Sequence, residues 1–308
     1  MIIILAIGIL NYKTYEKTIE CVESIISTCK QDFEIYIIDN NSPNESMEVL
    51  RKKYNKDSKI FLIENKSNEG FAGGNQKLLE FIESKNKHEY IVISNNNIIF
   101  LEDSIQQLID PLISNENAVI VGPKIYSLNG DVQESSRLEH VNWLEGYGLY
   151  SIYNLFNKKT YDRDVTKIIK VTSVSGCCFA VNKKNFRKMG YFDTNTFLFY
   201  EENILAIKAE TKLFETYFNP KSKIIHAHGA TTGKENLFTE TELIKSSIYY
   251  WKNYRSSKAF FTIGMILSNF LKNNIKYFIF RSIEGDIKKY WKDNKLLLFK
   301  SQGVIKNV

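Results

Sequence analysis

The run Ile2-Ile3-Ile4-Leu5-Ala6-Ile7-Gly8-Ile9-Leu10 decides the fold. Unbroken apolar character with several β-branched residues marks a central parallel strand covered on both faces, because a strand with one wet face would alternate. The run carries no basic leader and no small-residue cleavage site, and it has about half of the ~20 residues a bilayer span needs. It therefore reads as a buried strand rather than a signal. Working outward, Thr14 to Thr28 sets Tyr15, Ile19, Val22, Ile25 and Ile26 near helical spacing, and Phe33 to Ile38 is the next strand. The alternation continues with a helix from Ser46 to Tyr54, a strand from Ile60 to Glu64, a helix from Gly74 to Lys85 and a strand from Tyr90 to Ser94. A helix from Asp103 to about Asp110 follows, then strands at Val119 to Lys124, Ile168 to Val174 and Cys178 to Val181, with residues 131–167 irregular and aromatic-rich. Such a β-α-β series predicts an α/β fold with a mostly parallel open sheet flanked by helices, and ligands at the carboxyl ends of its strands.

Charge is uneven along the 308 residues. Residues 245–308 hold 13 Lys or Arg against 3 Asp or Glu, while the remainder is slightly acidic, so the net charge of +6 belongs to the tail. Its basic residues interleave with apolar ones, as in an interfacial helix, and this excludes nucleic acid as the favoured partner. The expected organisation is a domain over residues 1–240 and a basic amphipathic helical extension over 241–308. Four cysteines (Cys21, Cys29, Cys177, Cys178) show no CxxC or zinc-knuckle spacing, which suits a reducing, cytoplasmic compartment.

Polar residues collect where this fold puts its site. Asn11 and Tyr12 follow the first strand, Asp39 to Ser42 the second, and Asn95-Asn96-Asn97 the fourth. Between them lies Asn68-Glu69-Gly70-Phe71-Ala72-Gly73-Gly74-Asn75, whose three glycines let the backbone approach a ligand closely, beside the fixed carboxylate of Asp39. This pairing reads as a nucleotide-recognition surface. No Walker P-loop is present, which disfavours ordinary ATP chemistry.

Seven stretches in order, Ile9 to Tyr12, Ile38 to Ser42, Asn68 to Asn75, Ser175 to Ala180, Gly190 to Asp193, Tyr200 to Glu202, and His226, give residues 1–235 a resemblance to the family 2 glycosyltransferases, in particular their rhamnosyltransferase-like branch of bacterial surface polysaccharide (capsule, O-antigen) synthesis. The resemblance implies a GT-A fold, a nucleotide-sugar donor (UDP- or dTDP-linked), a divalent cation (Mg²⁺ or Mn²⁺), and inverting transfer to a hydroxyl of a glycan or lipid-linked acceptor. It implies that Asn11, Tyr12, Asp39, Asn41, Gly70, Phe71, Gly73, Gly74, Asn75, Asn95, Asn96 and Lys234 bind the donor, Tyr12 by stacking on the base and Asp39 by accepting from the pyrimidine N–H. Asn97 and His226 take the metal positions, and Glu201 and Glu202 the acidic motif, with Glu202 as general base. Three positions depart from the family pattern: Asn97, Glu202 and Ile204 stand where it usually has Asp, and a neutral amide ligates a cation more weakly than a carboxylate.

Each of these residues also has a structural alternative. Tyr12 can pack on the sheet, Asp39 can form an Asx turn while still serving a ligand, the glycines and the Asn95 to Asn97 run can be plain turns, and two acids at a helix start complement its dipole. His226 can be structural, though His228 and the glycine-bearing segment to Lys234 favour a phosphate-facing loop. The tail either lies on the inner membrane surface, each basic residue adding roughly 1 kcal/mol, or packs on its own domain or a homodimer partner. A nucleotide-sugar-binding or assembly subunit without turnover is the competing function.

Overall fold

The computed structural model describes residues 4–142, 165–227 and 237–255, with residues 264 and 268. His228 and Lys234, the aromatic stretch from 143 to 164 and most of the basic tail lie outside the described residues. In chain order the first half runs β1 (Ile4–Asn11), α1 (Tyr15–Thr28), β2 (Phe33–Asp39), α2 (Ser46–Tyr54), β3 (Ile60–Glu64), α3 (Gly70–Ser84), β4 (His88–Asn95), β5 (Ile98–Phe100), α4 (Ser104–Ser114) and β6 (Ala118–Tyr126). Then come β7 (Ser136–Arg137), β8 (Ile169–Val171), β9 (Ser173–Val174), β10 (Cys178–Asn182), α5 (Lys183–Met189), α6 (Glu201–Thr211), β11 (Glu215–His226) and α7 (Leu237–Asn253).

The main sheet has nine strands in the order β3-β2-β1-β4-β10-β6-β11-β5, with β8 joined to β11. Its first four strands are parallel, as their covered apolar runs require. From β10 onward directions mix: β10 is antiparallel to both β4 and β6, while β11 is parallel to β6 and antiparallel to β5 and β8. Both faces are covered. Ile7 and Ile9 of β1 pack with Val22 and Ile25 of α1 and Leu108 and Leu112 of α4, whereas Ala6, one position before Ile7, joins Leu78 and Ile82 of α3 in the cluster that holds Phe186 and Leu205. Alternate side chains of one strand thus enter two cores.

Two helix boundaries differ from the sequence pattern for local reasons. Helix α4 runs through Pro111 to Ser114 instead of stopping at Asp110. Proline leaves the Gln107 carbonyl without its helical donor, and the Asn219 side chain of β11 supplies one at 2.7 Å. Helix α3 starts at Gly70, four residues before the expected Gly74, because Asn68 Oδ1 accepts from Gly70 N at 3.0 Å and the Phe197 carbonyl accepts from Phe71 N at 2.7 Å.

Register then assembles the sheet's carboxyl edge. Asn11 is opposite Asp39 across β1 and β2, Leu10 opposite Asn95 across β1 and β4, and His226 opposite Ile98 across β11 and β5. By contact clustering the chain forms two compact units, Met1–His140 with Lys159–Asn236, and Val141–Lys158 with Leu237–Val308. In the second unit, α7 buries Tyr250 and Trp251, whose rings meet edge to face at 5.7 Å. Among the described residues no helix is long and apolar enough to cross a membrane.

Candidate functional site

The floor of the site is a buried amide and hydroxyl network at the ends of β1, β2 and β4. Asn11 Nδ2 donates to Asp39 Oδ1 at 2.5 Å, and Asn11 Oδ1 accepts from Thr18 Oγ1 at 2.7 Å and Asn96 Nδ2 at 3.0 Å. Asn96 Nδ2 also faces Thr14 O and Thr14 Oγ1, which ties β4 to the turn before α1. Asp39, 2% exposed, accepts from Ser42 N at 2.8 Å and Ser42 Oγ at 2.7 Å. This is the Asx turn anticipated for Asp39, and it lifts Asn41, exposed and left-handed at φ 59°, to the rim. Tyr12 is half-buried beside it, with the Lys13 ammonium 4.9 Å from its ring centre.

Asn40, which the sequence reading passed over, joins this floor to the glycine turn. Its Nδ2 donates to Asn68 Oδ1 and to the Gly70 carbonyl, both at 2.9 Å, and its Oδ1 accepts from Asn65 Nδ2 at 2.9 Å and Glu69 N at 3.2 Å. Its position in a run of four polar residues gave no signal to separate it from Asn41. Gly70 has φ 69°, and a Cβ there would lie 2.1 Å from the Phe197 carbonyl oxygen. Gly73 packs against the Glu69 side chain, and Gly74 against Leu10 and Asn40. The close approaches the glycines permit are therefore made by the protein's own chain. Phe71 is buried edge to face with Phe192, and Asn75, inside α3, donates from Nδ2 to the Phe71 carbonyl at 3.0 Å.

Phe197 leads straight to the acids. Phe199 and Tyr200 are both left-handed, at φ 71° and 67°, and α6 opens on Glu201 and Glu202. With Ser173, Val174, Phe179, Leu205 and Thr216 the two carboxyl groups line one small cavity. Glu201 Oε2 is buried without a hydrogen-bond partner, and Gly176 leaves the room that Oε1 occupies, since a Cβ there would stand 3.1 Å from it. Burial, then the Glu202 charge, pushes the Glu201 carboxyl well above the usual carboxylate range. Burial also raises Glu202, against the Arg137 charge and a 2.9 Å hydrogen bond from Asn203 Nδ2. Ile204, one of the three departures from the family pattern, is 1% exposed and belongs to the core.

A stability prediction follows from the sign of the Glu201 shift. A carboxyl raised on folding destabilises the native state once pH exceeds its unfolded value, so the penalty is absent below about pH 4 and complete above the folded pKa. Glu201→Gln should therefore raise Tm at pH 8, by about 2–4 °C for each kcal/mol relieved, and the gain should vanish toward pH 4. Melting curves at the two pH values check it. A lower Tm at pH 8 would mean that the carboxylate is held favourably.

Asn97 and His226 lie on neighbouring rungs at the edge formed by β5 and β11, where His226 is opposite Ile98. Asn97 Nδ2 donates to the Ala227 carbonyl at 2.9 Å and Ala227 N donates to the Asn97 carbonyl at 3.1 Å. The amide orientation is fixed by that donor, which leaves Asn97 Oδ1 buried with no hydrogen-bond partner. His226 is 9% exposed on the adjoining strand. An orphaned amide oxygen is one neutral ligand for a divalent cation that takes its remaining ligands from a diphosphate, although no group of three His, Cys, Asp or Glu is gathered for a metal among the described residues. Asn95, half-buried, has its backbone N–H bonded to the Cys177 carbonyl at 2.8 Å. Cys177 and Cys178 are buried thiols, and burial pushes Cys177 up to about 11.

The family model for glycosyl transferase family 2 matches residues 6–190. A low-salt glycan biosynthesis hexosyltransferase of Haloferax volcanii is 24% identical over 200 residues, 64% of this chain and 59% of that protein. A bifunctional glycosyltransferase of Dictyostelium discoideum is 31% identical over 124 residues, 40% of this chain and 16% of that protein. The chain thus spans less than two thirds of the length of either relative. Among solved structures, GalNAc-T7 with UDP, GalNAc and Mn²⁺ superposes with a TM-score of 0.63 at 15% identity, over 82% of this chain and 49% of that one. Residues 1–349 of S. aureus TarS give 0.53 at 11% identity, over 86% and 78%. These likenesses establish the GT-A fold, an open sheet flanked by helices. Because the family match runs from β1 to the end of α5 and takes in well over half of the chain, the protein belongs to glycosyl transferase family 2.

Proposed function

We propose that this chain is an inverting glycosyltransferase that moves a sugar, a hexose or rhamnose, from a UDP- or dTDP-linked donor to a hydroxyl of a glycan or lipid-linked acceptor. The observation that carries the reading is the convergence of three features: the Asn11–Asp39 floor, the glycine turn docked on Phe197, and the raised carboxyl of Glu202 just beyond it. Tyr12, Asp39 and Asn41 receive the base, and the turn from Gly70 to Asn75 borders the ribose and sugar. Asn97 Oδ1 and His226 hold a divalent cation, with Lys234 adding charge at the diphosphate. That cation, when bound, neutralises charge building on the leaving diphosphate. Glu202 takes the acceptor proton as the new C–O bond forms on the face opposite the departing nucleotide, which inverts the anomeric carbon. A raised pKa suits this task, because a base near working pH balances ionisation against proton affinity. We assign the catalytic domain to residues 1–240 and attachment to the inner membrane surface, or to a second copy, to the basic extension 241–308.

Thermal shift with UDP, dTDP, GDP and CMP, each with and without Mn²⁺, tests the donor site. Stabilisation by UDP or dTDP that needs Mn²⁺ is the expected result. Pyrimidine stabilisation that is indifferent to Mn²⁺ would remove the cation from Asn97 and His226. If none of the four binds, the donor assignment is wrong.

A further inference from the structure

The glycine turn and the acid helix are far apart in sequence yet share one rigid joint. The Phe197 carbonyl accepts from Phe71 N at 2.7 Å, and its oxygen fills the space that a side chain at residue 70 would need, 2.1 Å from an added Cβ. On the turn side the joint cannot yield. Asn68 Oδ1 accepts from Gly70 N at 3.0 Å, Asn40 Nδ2 donates to the Gly70 carbonyl at 2.9 Å, and Asn40 is itself held from β3's end by Asn65. On the acid side the chain is under strain. Phe199 and Tyr200 occupy consecutive left-handed conformations that L-residues seldom adopt, and such geometry persists only where neighbours over-determine it. The first residues after this strained pair are Glu201 and Glu202.

We propose that the Phe197 peptide is a strut: docked on Gly70 and Phe71, it holds the left-handed Phe199–Tyr200 turn that aims the Glu202 carboxylate, so the donor turn sets the position of the base. Gly70, Phe71 and Phe197 are then positioning residues for proton abstraction as well as neighbours of the donor. The proposal rests on Glu202 being the base. Its distinguishing consequence is kinetic, since a misplaced base lowers kcat while a damaged donor site raises the nucleotide Kd.

The test uses the full chain with Mn²⁺ and whichever pair the nucleotide panel selects, UDP with UDP-glucose or dTDP with dTDP-L-rhamnose, reading nucleotide Kd by calorimetry and turnover by nucleotide release. Gly70→Ala should push the segment 197–200 away, lowering kcat by at least tenfold more than it raises the nucleotide Kd. A tenfold rise in Kd with kcat kept within threefold would overturn the strut. Should Gly70→Ala fail to fold, Phe71→Pro and Phe71→Leu replace it. Proline is tolerated in a first helical turn and deletes the N–H that Phe197 accepts, whereas leucine keeps it. Phe71→Pro should then turn over at least tenfold more slowly than Phe71→Leu at equal Kd, and equal rates would overturn the proposal. Glu202→Gln run alongside separates the two ideas: full activity there removes the base assignment, while its loss together with an unaffected Gly70→Ala removes only the strut.

Discussion

Glu202→Gln is expected to lower kcat by about 10²–10⁴, the usual contribution of a positioned general base, while leaving the nucleotide Kd within threefold. The amide matches the carboxyl in shape and can still accept from Asn203 Nδ2, so the cavity beneath α6 keeps its packing. What disappears is the ability to accept the acceptor's proton. The pH profile of the unsubstituted protein carries a second signature. Burial raises the Glu202 carboxyl, so its ionised form, the active one, appears only as pH climbs through that raised value. The acid limb of kcat/KM should therefore lie above the ordinary Glu value of about 4.3. Full turnover in Glu202→Gln, or an acid limb at the ordinary value, would show that another group takes the proton.

Why the polar residues at the strand ends stand out in the sequence, while the joint between the glycine turn and the acids does not, follows from the forces that mark each. Strands β1 to β4 announce themselves through apolar runs covered on both faces, and the polar residues that end those runs stand out by contrast. Asn11, Asp39 and Asn96 were visible on that ground, and the register that brings Asn11 opposite Asp39 follows from parallel pairing. Strand β5 has only three residues, too few for a period, and β11 carries Asn219, Pro220, Lys221 and Ser222 through its middle. Those residues break the alternation, and the β6 pairing shifts register at that place. Alternation therefore does not mark β11 in the sequence, although its Asn219 is what allows α4 to continue through Pro111. Asn40 and Phe197 were missed for a different reason. Asn40 acts through four hydrogen bonds to partners brought near only by the fold, and Phe197 acts through a backbone carbonyl, which no side-chain pattern encodes.

Asp39→Asn should show the reverse kinetic pattern, a raised nucleotide Kd with kcat at saturation little changed. The carboxylate now accepts on one oxygen from Asn11 Nδ2 and Ser42 Oγ, and on the other from Ser42 N. An amide turns one of those oxygens into a donor, and either orientation sets an N–H against another donor. Such a clash in a site 2% exposed costs about 1–3 kcal/mol of stability, or roughly 2–4 °C of Tm per kcal/mol. On the proposed assignment the base N–H of the nucleotide would also lose a charged acceptor, worth about 1.5–3 kcal/mol and hence about 10- to 150-fold in Kd. Ser42→Ala separates these two losses. It removes one hydroxyl contact to Asp39 and the Lys13 N to Ser42 Oγ bond, but leaves the charge in place. Its Tm should fall while nucleotide Kd moves less than threefold. If Asp39→Asn behaves like Ser42→Ala, with a lower Tm and an unmoved Kd, then Asp39 is the anchor of a turn and the base is recognised elsewhere on the rim, with Tyr12 and Asn41 the residues to replace next.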